Sequence, residues 1–377
     1  MAMIGGGTGS FIGPVHLMAA RMDSMIELVA GAFSSKTDIS EKSGREYGLP
    51  DNRIYGSWEE MIEKESRLPA DQKPDIICVA TPNNLHYGPV IKAINAGFHV
   101  ICDKPLCISV EEALDIKSAL ESGNSLFCIT HNYSGYPMVK KAREMVAGGE
   151  LGTTRKVMVE YLQGWLSDKE EERGNKQAEW RSDPAKAGKA GCMGDIGTHA
   201  FQLAEYISGN RVKRLFSQLN TYVDGRILDD DGNVFLDFEN GIKGTLLASQ
   251  VTCGEENALS IRVYGTEGSL EWKQMEPNNL YFRKKDSALQ VYRTASPYGS
   301  PGPIAEKHSR LPGGHPEGFI EAFANLYRNF ALSIMALRNN EKHDSSYDYP
   351  GIADGLRGMK FLDAVVDSSK KDQWREI

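Results

Sequence analysis

A glycine-rich turn placed directly after the first apolar segment constrains this chain more than any other feature. Residues 1–4 are apolar, and an amphipathic pattern begins at Ile12. The intervening turn reads Gly5-Gly6-Gly7-Thr8-Gly9-Ser10-Phe11. A strand, a glycine turn and a helix in this order bring backbone amides and a helix N-terminus up to a pyrophosphate, so the segment predicts a dinucleotide site. The strict Gly-x-Gly-x-x-Gly spacing places glycine where this chain has Ser10, so the turn is a variant, and an ordinary glycine-rich connection is the alternative.

The N-terminal part of the chain alternates apolar runs with amphipathic stretches. The apolar runs predict strands at 1–4, 26–33, 76–80, 99–102 and 126–130. The stretches between them predict helices at 12–22, 57–64, 86–96 and 109–122. Because strands and helices in alternation are typical of a doubly wound parallel sheet, we expect an α/β Rossmann domain over residues 1–133.

The pattern changes after residue 133. One more helix is predicted at 136–147, and two-residue alternation then predicts antiparallel strands at 156–162, 214–222, 232–238, 243–251, 259–265 and 268–273. Helices return at 316–337 and 349–368. We therefore expect an α+β domain over residues 134–377, built on a large, mostly antiparallel open sheet. A chain of 377 residues also exceeds what one hydrophobic core usually organises.

Charge and composition exclude several classes of partner. The formal net charge is −8 and basic residues are interspersed with acidic ones, so we expect no nucleic acid partner. The sequence contains no apolar run long enough for a membrane span and no N-terminal secretory signal, which predicts a cytoplasmic location and no membrane partner. The six cysteines include no Cys-x-x-Cys pair, so we expect free thiols and no metal site.

Three polar motifs occur in a fixed order along the chain. They read Thr81-Pro82-Asn83-Asn84-Leu85-His86, Cys102-Asp103-Lys104-Pro105-Leu106 and Gly194-Asp195-Ile196-Gly197-Thr198-His199. With these motifs the chain resembles the glucose-fructose oxidoreductase and inositol dehydrogenase (Gfo/Idh/MocA) family over essentially its whole length. In that family the second motif usually reads Glu-Lys-Pro, and here Asp103 replaces the glutamate while Lys104 stays in register. The resemblance implies NAD(P)-dependent chemistry on a sugar or cyclitol, and a homodimer or homotetramer associated through the open face of the second domain's sheet.

Lys104, Asp195 and His199 are the candidate catalytic residues. Lys104 follows a predicted buried strand and precedes a proline, at the carboxyl end of the sheet where ligands bind in open α/β folds. Asp195 and His199 stand four residues apart in a helical segment, so a carboxylate and an imidazole share one face and suit proton removal near neutral pH. The alternatives are a solvated lysine and an ordinary helix start with an exposed histidine. Since no third ligand stands at suitable spacing, this segment predicts no metal.

The cofactor subtype depends on the end of the second predicted strand, which reads Ser34-Ser35-Lys36. A carboxylate normally binds the ribose of NAD at this place. Here the lysine suits the additional phosphate of NADP, whereas the serines suit an unphosphorylated ribose. We expect NAD. The alternatives are NADP and an ordinary polar loop. The turn and the resemblance together predict cofactor contacts from Gly5, Gly7, Thr8, Gly9, Ser10, Phe11, Ser34, Ser35, Lys36, Thr81, Pro82, Asn83, His86, Asp103, Lys104 and Asn132.

Substrate contacts are also expected by resemblance. The predicted set is Lys104, Asn132, Tyr133, Asp195 and His199, with a rim formed by Trp165, Lys176, Trp180, Arg181 and His315. We expect oxidation of a secondary hydroxyl in which Lys104 polarises the oxygen, Asp195 orients substrate and base, and His199 accepts the proton. Two alternatives remain: an NAD-dependent glycoside hydrolase that acts through transient C3 oxidation, elimination and re-reduction, and a non-catalytic sugar or dinucleotide sensor.

Overall fold

The computed structural model describes residues 1–377, which divide into two compact units. Unit 1 contains residues 1–130 and 323–356, and unit 2 contains residues 131–322 and 357–377. The segment 323–356 therefore groups with the N-terminal unit, although the sequence pattern placed all of 134–377 in one domain. The division of ligand binding between residues 1–133 and 134–377 stays a prediction.

Unit 1 is built on a five-stranded sheet in the order β2-β1-β3-β4-β5, with every pair parallel. The strands are β1 (Ala2–Gly5), β2 (Ala30–Ala32), β3 (Ile76–Ala80), β4 (His99–Cys102) and β5 (Phe127–Ile129). β3 is buried along its whole length, as expected for a parallel strand covered on both faces. The predicted Rossmann sheet is confirmed.

Five helices alternate with these strands. They are α1 (Ile12–Arg21), α2 (Thr37–Glu46), α3 (Trp58–Ser66), α4 (Tyr87–Asn95) and α5 (Val110–Glu121). α5 begins where the sequence predicts, because the Ser109 hydroxyl accepts the Glu112 amide at 3.1 Å. α2 was not predicted, since its buried positions are Ser40, Ser43 and Gly44 and it has no apolar stripe to detect.

Unit 2 is built on a nine-stranded sheet in the order β13-β12-β11-β10-β6-β9-β8-β7-β14. The strands are β6 (Thr154–Leu162), β7 (Val212–Asn220), β8 (Asp231–Phe238), β9 (Lys243–Ser249), β10 (Ala258–Gly265), β11 (Gly268–Lys273), β12 (Asn279–Lys284), β13 (Gln290–Arg293) and β14 (Arg375–Glu376). β6 and β9 are parallel and the other neighbours are antiparallel, so the predicted mostly antiparallel sheet is confirmed. The last three strands were not predicted, because they are short and partly or wholly exposed.

The helices of unit 2 lie on one face of this sheet or in its connections. They are α6 (Pro137–Ala147), α7 (Lys176–Arg181), α8 (Pro184–Ala187), α9 (Thr198–Ser208) and α10 (Pro303–Lys307), with a π-helix at Met193–Gly197 leading into α9. α9 packs on β6 and β10, where Val157, Val159, Ile261 and Val263 are buried. The core of unit 2 thus holds the helix that carries His199.

Two long helices complete the chain, α11 (Phe319–Arg338) and α12 (Ile352–Lys371). Within unit 1, the Tyr327 hydroxyl lies 2.6 Å from His16 Nδ1 and 3.3 Å from Cys78 Sγ, and the Pro350 carbonyl accepts the Ile129 amide at 3.0 Å. These buried contacts explain why residues 323–356 group with unit 1. The sequence did not indicate this grouping, because helical periodicity does not reveal which core a helix covers. None of the helices combines the length and hydropathy that crossing a membrane requires.

Candidate active site

The glycine turn between β1 and α1 has a backbone shape that glycine adopts most easily. Gly5, Gly6 and Gly9 have φ angles of +78°, +70° and +85°. A Cβ on Gly13 would lie 2.0 Å from the Gly6 carbonyl oxygen, so the turn and α1 touch where both residues are glycine. Gly6 and Gly13 were not among the predicted site residues. Gly13 supplies the close packing that the third glycine of the strict fingerprint provides, three residues after Ser10.

The start of α1 fits the anionic part of a dinucleotide. α1 has no side-chain cap at Phe11 and no acidic residue in its first turn, and Ser10 Oγ accepts the Gly13 amide at 3.3 Å. The positive end of the helix and its amides therefore favour a pyrophosphate. Thr8 differs from the other turn residues, because its amide donates to Ser43 Oγ at 2.9 Å and its hydroxyl donates to Glu46 at 2.9 Å. Thr8 therefore connects the turn to α2 through hydrogen bonds.

Ser34, Ser35 and Lys36 follow β2, where a ribose is expected. The Ser34 hydroxyl accepts the Lys36 amide at 3.1 Å, which closes a short turn, while Ser35 and Lys36 are exposed. None of these three positions carries a carboxylate. The turn therefore offers hydroxyls and one ammonium to the ribose.

His86 joins the loops that follow β3 and β4. Its Nε2 lies 2.8 Å from the Thr81 carbonyl oxygen, its Nδ1 lies 2.9 Å from the Pro105 carbonyl oxygen, and the residue is fully buried. Because both ring nitrogens face carbonyls of different loops, the ring fixes the spacing between those loops. The loop that contains Thr81, Pro82 and Asn83 is thereby positioned at the carboxyl end of the sheet.

Lys104 lies beyond β4 in a loop that Asp103 stabilises. Asp103 Oδ1 accepts the Lys104 amide at 3.0 Å and the Thr130 hydroxyl at 2.6 Å, and the Asp103 amide donates to the Val79 carbonyl at 2.9 Å. Lys104 is half-buried and its peptide bond to Pro105 is cis. The aspartate that replaces the family's usual glutamate thus holds the backbone of Lys104.

In unit 2, Asp195 and His199 lie on the π-helix and on the first turn of α9. A distant residue, Asp229, holds the start of this segment. Its two carboxylate oxygens accept the amides of Gly191 at 2.7 Å and Met193 at 2.8 Å, and its carbonyl accepts the amide of Cys192 at 2.8 Å. Burial raises the pKa of Asp229 to about 6, against the opposing effect of these backbone amides. Three consecutive backbone amides therefore donate to Asp229. No local sequence pattern had indicated this role of Asp229.

Asp195 belongs to an ion pair with Arg181. Arg181 Nε and Gln250 Nε2 each donate to Asp195 Oδ2 at 2.9 Å. The guanidinium lies 4.2 Å from the ring centroid of Trp180 and 5.9 Å from that of Trp165. Both charged side chains are mostly buried, and an adjacent guanidinium favours the charged form of a carboxylate. The structure thus brings four of the predicted substrate residues together, with Gln250 as an addition.

His199 lies one turn further along, and only 6% of the residue is exposed. Its Nδ1 is 3.4 Å from Nδ1 of His131, a buried residue that was not predicted. The ring of Tyr133 meets the His199 ring edge-on, with the centroids 4.9 Å apart. His199 is therefore an imidazole held among other rings in the interior of unit 2.

Uncharged polar groups continue from this cluster. The hydroxyls of Tyr133 and Tyr161 hydrogen-bond to each other, and Asn257 Oδ1 accepts from Tyr161 and from Gln163 Nε2, each at 2.7 Å. Burial raises the pKa of Tyr133 and of Tyr161, so both phenols stay protonated near neutral pH. Compared with the phenols of Tyr133 and Tyr161, the imidazole of His199 is the better proton acceptor.

Asn132 carries a buried donor that the protein does not satisfy. The residue is 3% exposed and its Nδ2 has no hydrogen-bond partner. Leaving such a donor unpaired costs about 1–3 kcal/mol, which a ligand oxygen would remove. Asn132 is therefore suited to the ligand contact that the sequence predicts.

Lys176 and His315 do not join the cluster around Asp195. Lys176 is exposed at the start of α7, and His315 is exposed with its Nδ1 3.0 Å from the Pro312 carbonyl oxygen. Their predicted place at the pocket rim stays a prediction.

The comparisons with known proteins agree with this architecture. Residues 1–131 match the oxidoreductase family with an NAD-binding Rossmann fold, and residues 139–271 match the GFO/IDH/MocA C-terminal domain. YfiI, an uncharacterised oxidoreductase of Bacillus subtilis, is 31% identical over 381 residues that cover 100% of this chain and 96% of that protein. The chain belongs to the Gfo/Idh/MocA family. It is an oxidoreductase with an NAD-binding Rossmann domain, which confirms the predicted family, fold class and NAD cofactor.

Relatives within the Gfo/Idh/MocA family include proteins with bound cofactor and polyol. An inositol dehydrogenase homologue from Azotobacter vinelandii, complexed with NAD+, is 34% identical with a TM-score of 0.95, covering 100% of this chain and 96% of that chain. The same homologue complexed with NADH and myo-inositol gives 33% identity and a TM-score of 0.91, covering 100% and 97%. Levoglucosan dehydrogenase from Pseudarthrobacter phenanthrenivorans is 25% identical, with 100% of this chain and 97% of that protein covered.

Proposed function

We propose that this protein oxidises a secondary hydroxyl of a cyclitol, sugar or glycoside, with NAD as the electron acceptor and Lys104, Asp195 and His199 as catalytic residues. The observation that carries the proposal is the arrangement around His199. A buried imidazole stands one helical turn from a carboxylate that is already paired with Arg181. The imidazole is therefore the group that takes a proton near neutral pH, as general base catalysis requires.

Asp195 has a different role in this proposal. Because Oδ2 accepts hydrogen bonds from Arg181 and Gln250, the orientation of the carboxylate is fixed. A fixed carboxylate accepts a hydrogen bond from a substrate hydroxyl and orients the carbinol toward the base. Its charge also favours the imidazolium that forms when His199 accepts the proton.

Lys104 supplies positive charge to the reacting oxygen. Its backbone is fixed through Asp103 at the carboxyl end of β4, which is where ligands bind in open α/β sheets. An ammonium that donates to the carbinol oxygen lowers the cost of the developing alkoxide. By resemblance to the family motif, we propose that Lys104 acts on the same substrate as His199.

A neutral polyol fits the groups of unit 2 better than an anionic sugar. The guanidinium of Arg181 is shared between Asp195 and Gln177, to whose Oε1 it donates at 2.7 Å. The adjacent rings of Trp165 and Trp180 suit the carbon faces of a saturated ring, and Asn132 and Tyr133 suit its hydroxyls. Family relatives that bind myo-inositol and levoglucosan support this class of substrate.

The remaining predicted contacts belong to the same proposal. We assign the residues of the glycine turn, Ser34 to Lys36 and the loop from Thr81 to His86 to cofactor binding, and Lys176 and His315 to the substrate rim. By resemblance to the family, we also propose a homodimer or homotetramer.

The test is NADH formation from neutral polyols, beginning with myo-inositol, by the wild type and by Lys104→Met and His199→Gln. We expect wild-type turnover and a fall in kcat of about 10²- to 10⁴-fold in each variant. Lys64→Met, at an exposed lysine of α3, is the matched control and should retain wild-type turnover.

Normal turnover by His199→Gln would reject His199 as the base. Release of an aglycone from a glycoside without net NADH would instead favour the hydrolase alternative, and cofactor binding without either reaction would favour a sensor.

A further inference from the structure

Gln163, which follows β6, joins three parts of the candidate substrate site through one uncharged side chain. Its Oε1 accepts the indole N–H of Trp165 at 3.0 Å and a hydrogen of Gln250 Nε2 at 3.4 Å. Its Nε2 donates to Asn257 Oδ1 at 2.7 Å. The same Gln250 nitrogen also donates to Asp195 Oδ2 at 2.9 Å. Gln163 was not among the predicted site residues.

The backbone of Gln163 is fixed by hydrogen bonds of both its polar groups. Its amide donates to the carbonyl of Ser249, the last residue of β9, at 2.8 Å. Its carbonyl accepts the amide of Thr252 at 3.0 Å and the Thr252 hydroxyl at 2.8 Å. The side-chain amide is therefore held at a defined point where β6 and β9 end.

The groups at the ends of this network leave the Gln163 amide only one orientation. An indole N–H can only donate, and an ionised carboxylate can only accept. Because Asp195 Oδ2 accepts from Gln250 Nε2, that nitrogen faces Gln163 as a donor. Trp165 is a second donor on the same side. Oε1 of Gln163 must therefore face both donors, and Nε2 must face Asn257.

This orientation extends to two tyrosines. Since Gln163 Nε2 donates, Asn257 presents its oxygen, and the Tyr161 hydroxyl donates to that oxygen at 2.7 Å. The oxygen of Tyr161 then accepts from the hydroxyl of Tyr133. Reversal of the Gln163 amide would set its NH2 group against Trp165 and its oxygen against Asn257 Oδ1, so both contacts would become repulsive. The network has a single arrangement, and Gln163 is the residue that connects its branches.

We propose that Gln163 is a positioning residue that holds Trp165 and Gln250 in place for substrate binding. The inference rests on the proposed function for the roles of Trp165 and Asp195. Gln163 acts through the Trp165 ring, which suits the carbon face of a saturated ring, and through Gln250, which orients the Asp195 carboxylate. Asp195 keeps its ion pair with Arg181 when Gln163 is replaced. Loss of Gln163 should therefore weaken substrate binding more than proton transfer.

The first experiment needs no substrate and is 1H–15N NMR of the five indole N–H groups, with Trp165 assigned by the loss of its signal in Trp165→Phe. In Gln163→Met, which keeps the length of the side chain without an acceptor, we expect the Trp165 signal to move upfield and to exchange with water faster. Gln163→Glu keeps an oxygen toward Trp165, so the indole should stay hydrogen-bonded and exchange slowly.

The wild-type spectrum decides the question if Gln163→Met fails to fold. The Trp165 indole should exchange with water more slowly than the indole of Trp374, a residue that is 41% exposed. Equal or faster exchange at Trp165 would overturn the proposal.

Kinetics with a confirmed neutral polyol provide the second readout. Gln163→Met should raise KM by about 3- to 10-fold, as expected for one lost neutral hydrogen bond, while kcat changes by less than about twofold. The pH profile of kcat should be unchanged. Gln290→Met is the matched control, because Gln290 on β13 is exposed and its Oε1 also accepts from an aromatic residue, Tyr292. Its KM should equal that of the wild type.

Two further outcomes overturn the proposal: an unchanged Trp165 signal in a folded Gln163→Met variant, or a normal KM in that variant with a polyol that the wild type oxidises. Failure of the proposed function gives a different result. In that case the Trp165 signal moves as expected in Gln163→Met, while the wild type oxidises no neutral polyol.

Discussion

Removal of the Asp229 carboxylate should destabilise unit 2 by an amount that depends on pH. In Asp229→Ala the amides of Gly191 and Met193 lose acceptors at 2.7 and 2.8 Å, while the carbonyl that accepts from Cys192 remains. Each buried donor left without a partner costs about 1–3 kcal/mol, so the loss is about 2–6 kcal/mol in total.

The charge of the Asp229 carboxylate makes this deficit smaller at higher pH, because a buried charge destabilises the wild type. Burial raises its pKa from 3.8 to about 6 in the folded state, so the folded protein binds a proton more tightly than the unfolded chain. Stability from this group is therefore lost as pH rises from about 4 through 6, and the full effect is at most about 3 kcal/mol. About half of it, roughly 1.5 kcal/mol, is lost between pH 5 and pH 8. Because the alanine variant lacks this titration, its deficit relative to the wild type should be smaller at pH 8 than at pH 5.

Urea unfolding followed by tryptophan fluorescence measures the deficit at both pH values. Four of the five tryptophans, Trp165, Trp180, Trp272 and Trp374, belong to unit 2 and report its unfolding. Asp224→Ala, at an exposed aspartate in the same connection, is the control and should show no deficit at either pH. A deficit in Asp229→Ala that stays constant or grows from pH 5 to pH 8 would refute the reasoning.

Two further substitutions test the cofactor turn and the packing of unit 2. Gly13→Ala should weaken NAD binding at least tenfold in calorimetric titration, because its Cβ would lie 2.0 Å from the Gly6 carbonyl oxygen; unchanged affinity would show that the turn adapts. Glu205→Gln should lower the free energy of unfolding by about 3–5 kcal/mol, since Glu205 is buried and pairs with Arg211 and Arg357. A thermal melt within 2–3 °C of the wild type, which corresponds to less than about 1 kcal/mol, would contradict this expectation.

The strands of unit 1 could be predicted because each is a short apolar run between turn residues, as Ile76–Ala80 illustrates. The helix Thr37–Glu46 could not, because it buries serine and glycine rather than an apolar stripe. Ser10 was correctly recognised as a departure from the glycine fingerprint, but the compensating contact between Gly6 and Gly13 depends on three-dimensional proximity.

The residues that support the candidate site illustrate the same limit. Asp195 and His199 were detectable because four-residue spacing is a local signal. Asp229, His131 and Gln250 contact that segment from distant parts of the chain, and residue spacing along the sequence does not reveal these contacts. The packing neighbour of segment 323–356 was not readable from sequence for the same reason, since the partners of Tyr327 in unit 1 are not encoded near it in sequence.

The most direct test of the account is deuterium transfer from substrate to cofactor. The wild-type protein would be incubated with NAD and a neutral cyclitol, such as myo-inositol, deuterated at its carbinol carbons, and the nicotinamide would be examined by mass spectrometry. We predict net formation of NADH that carries one deuterium, together with a slower rate than for the unlabelled cyclitol. Absence of deuterated NADH across a panel of neutral cyclitols and sugars, while the protein binds NAD and releases aglycone from a glycoside, would contradict net oxidation as its function.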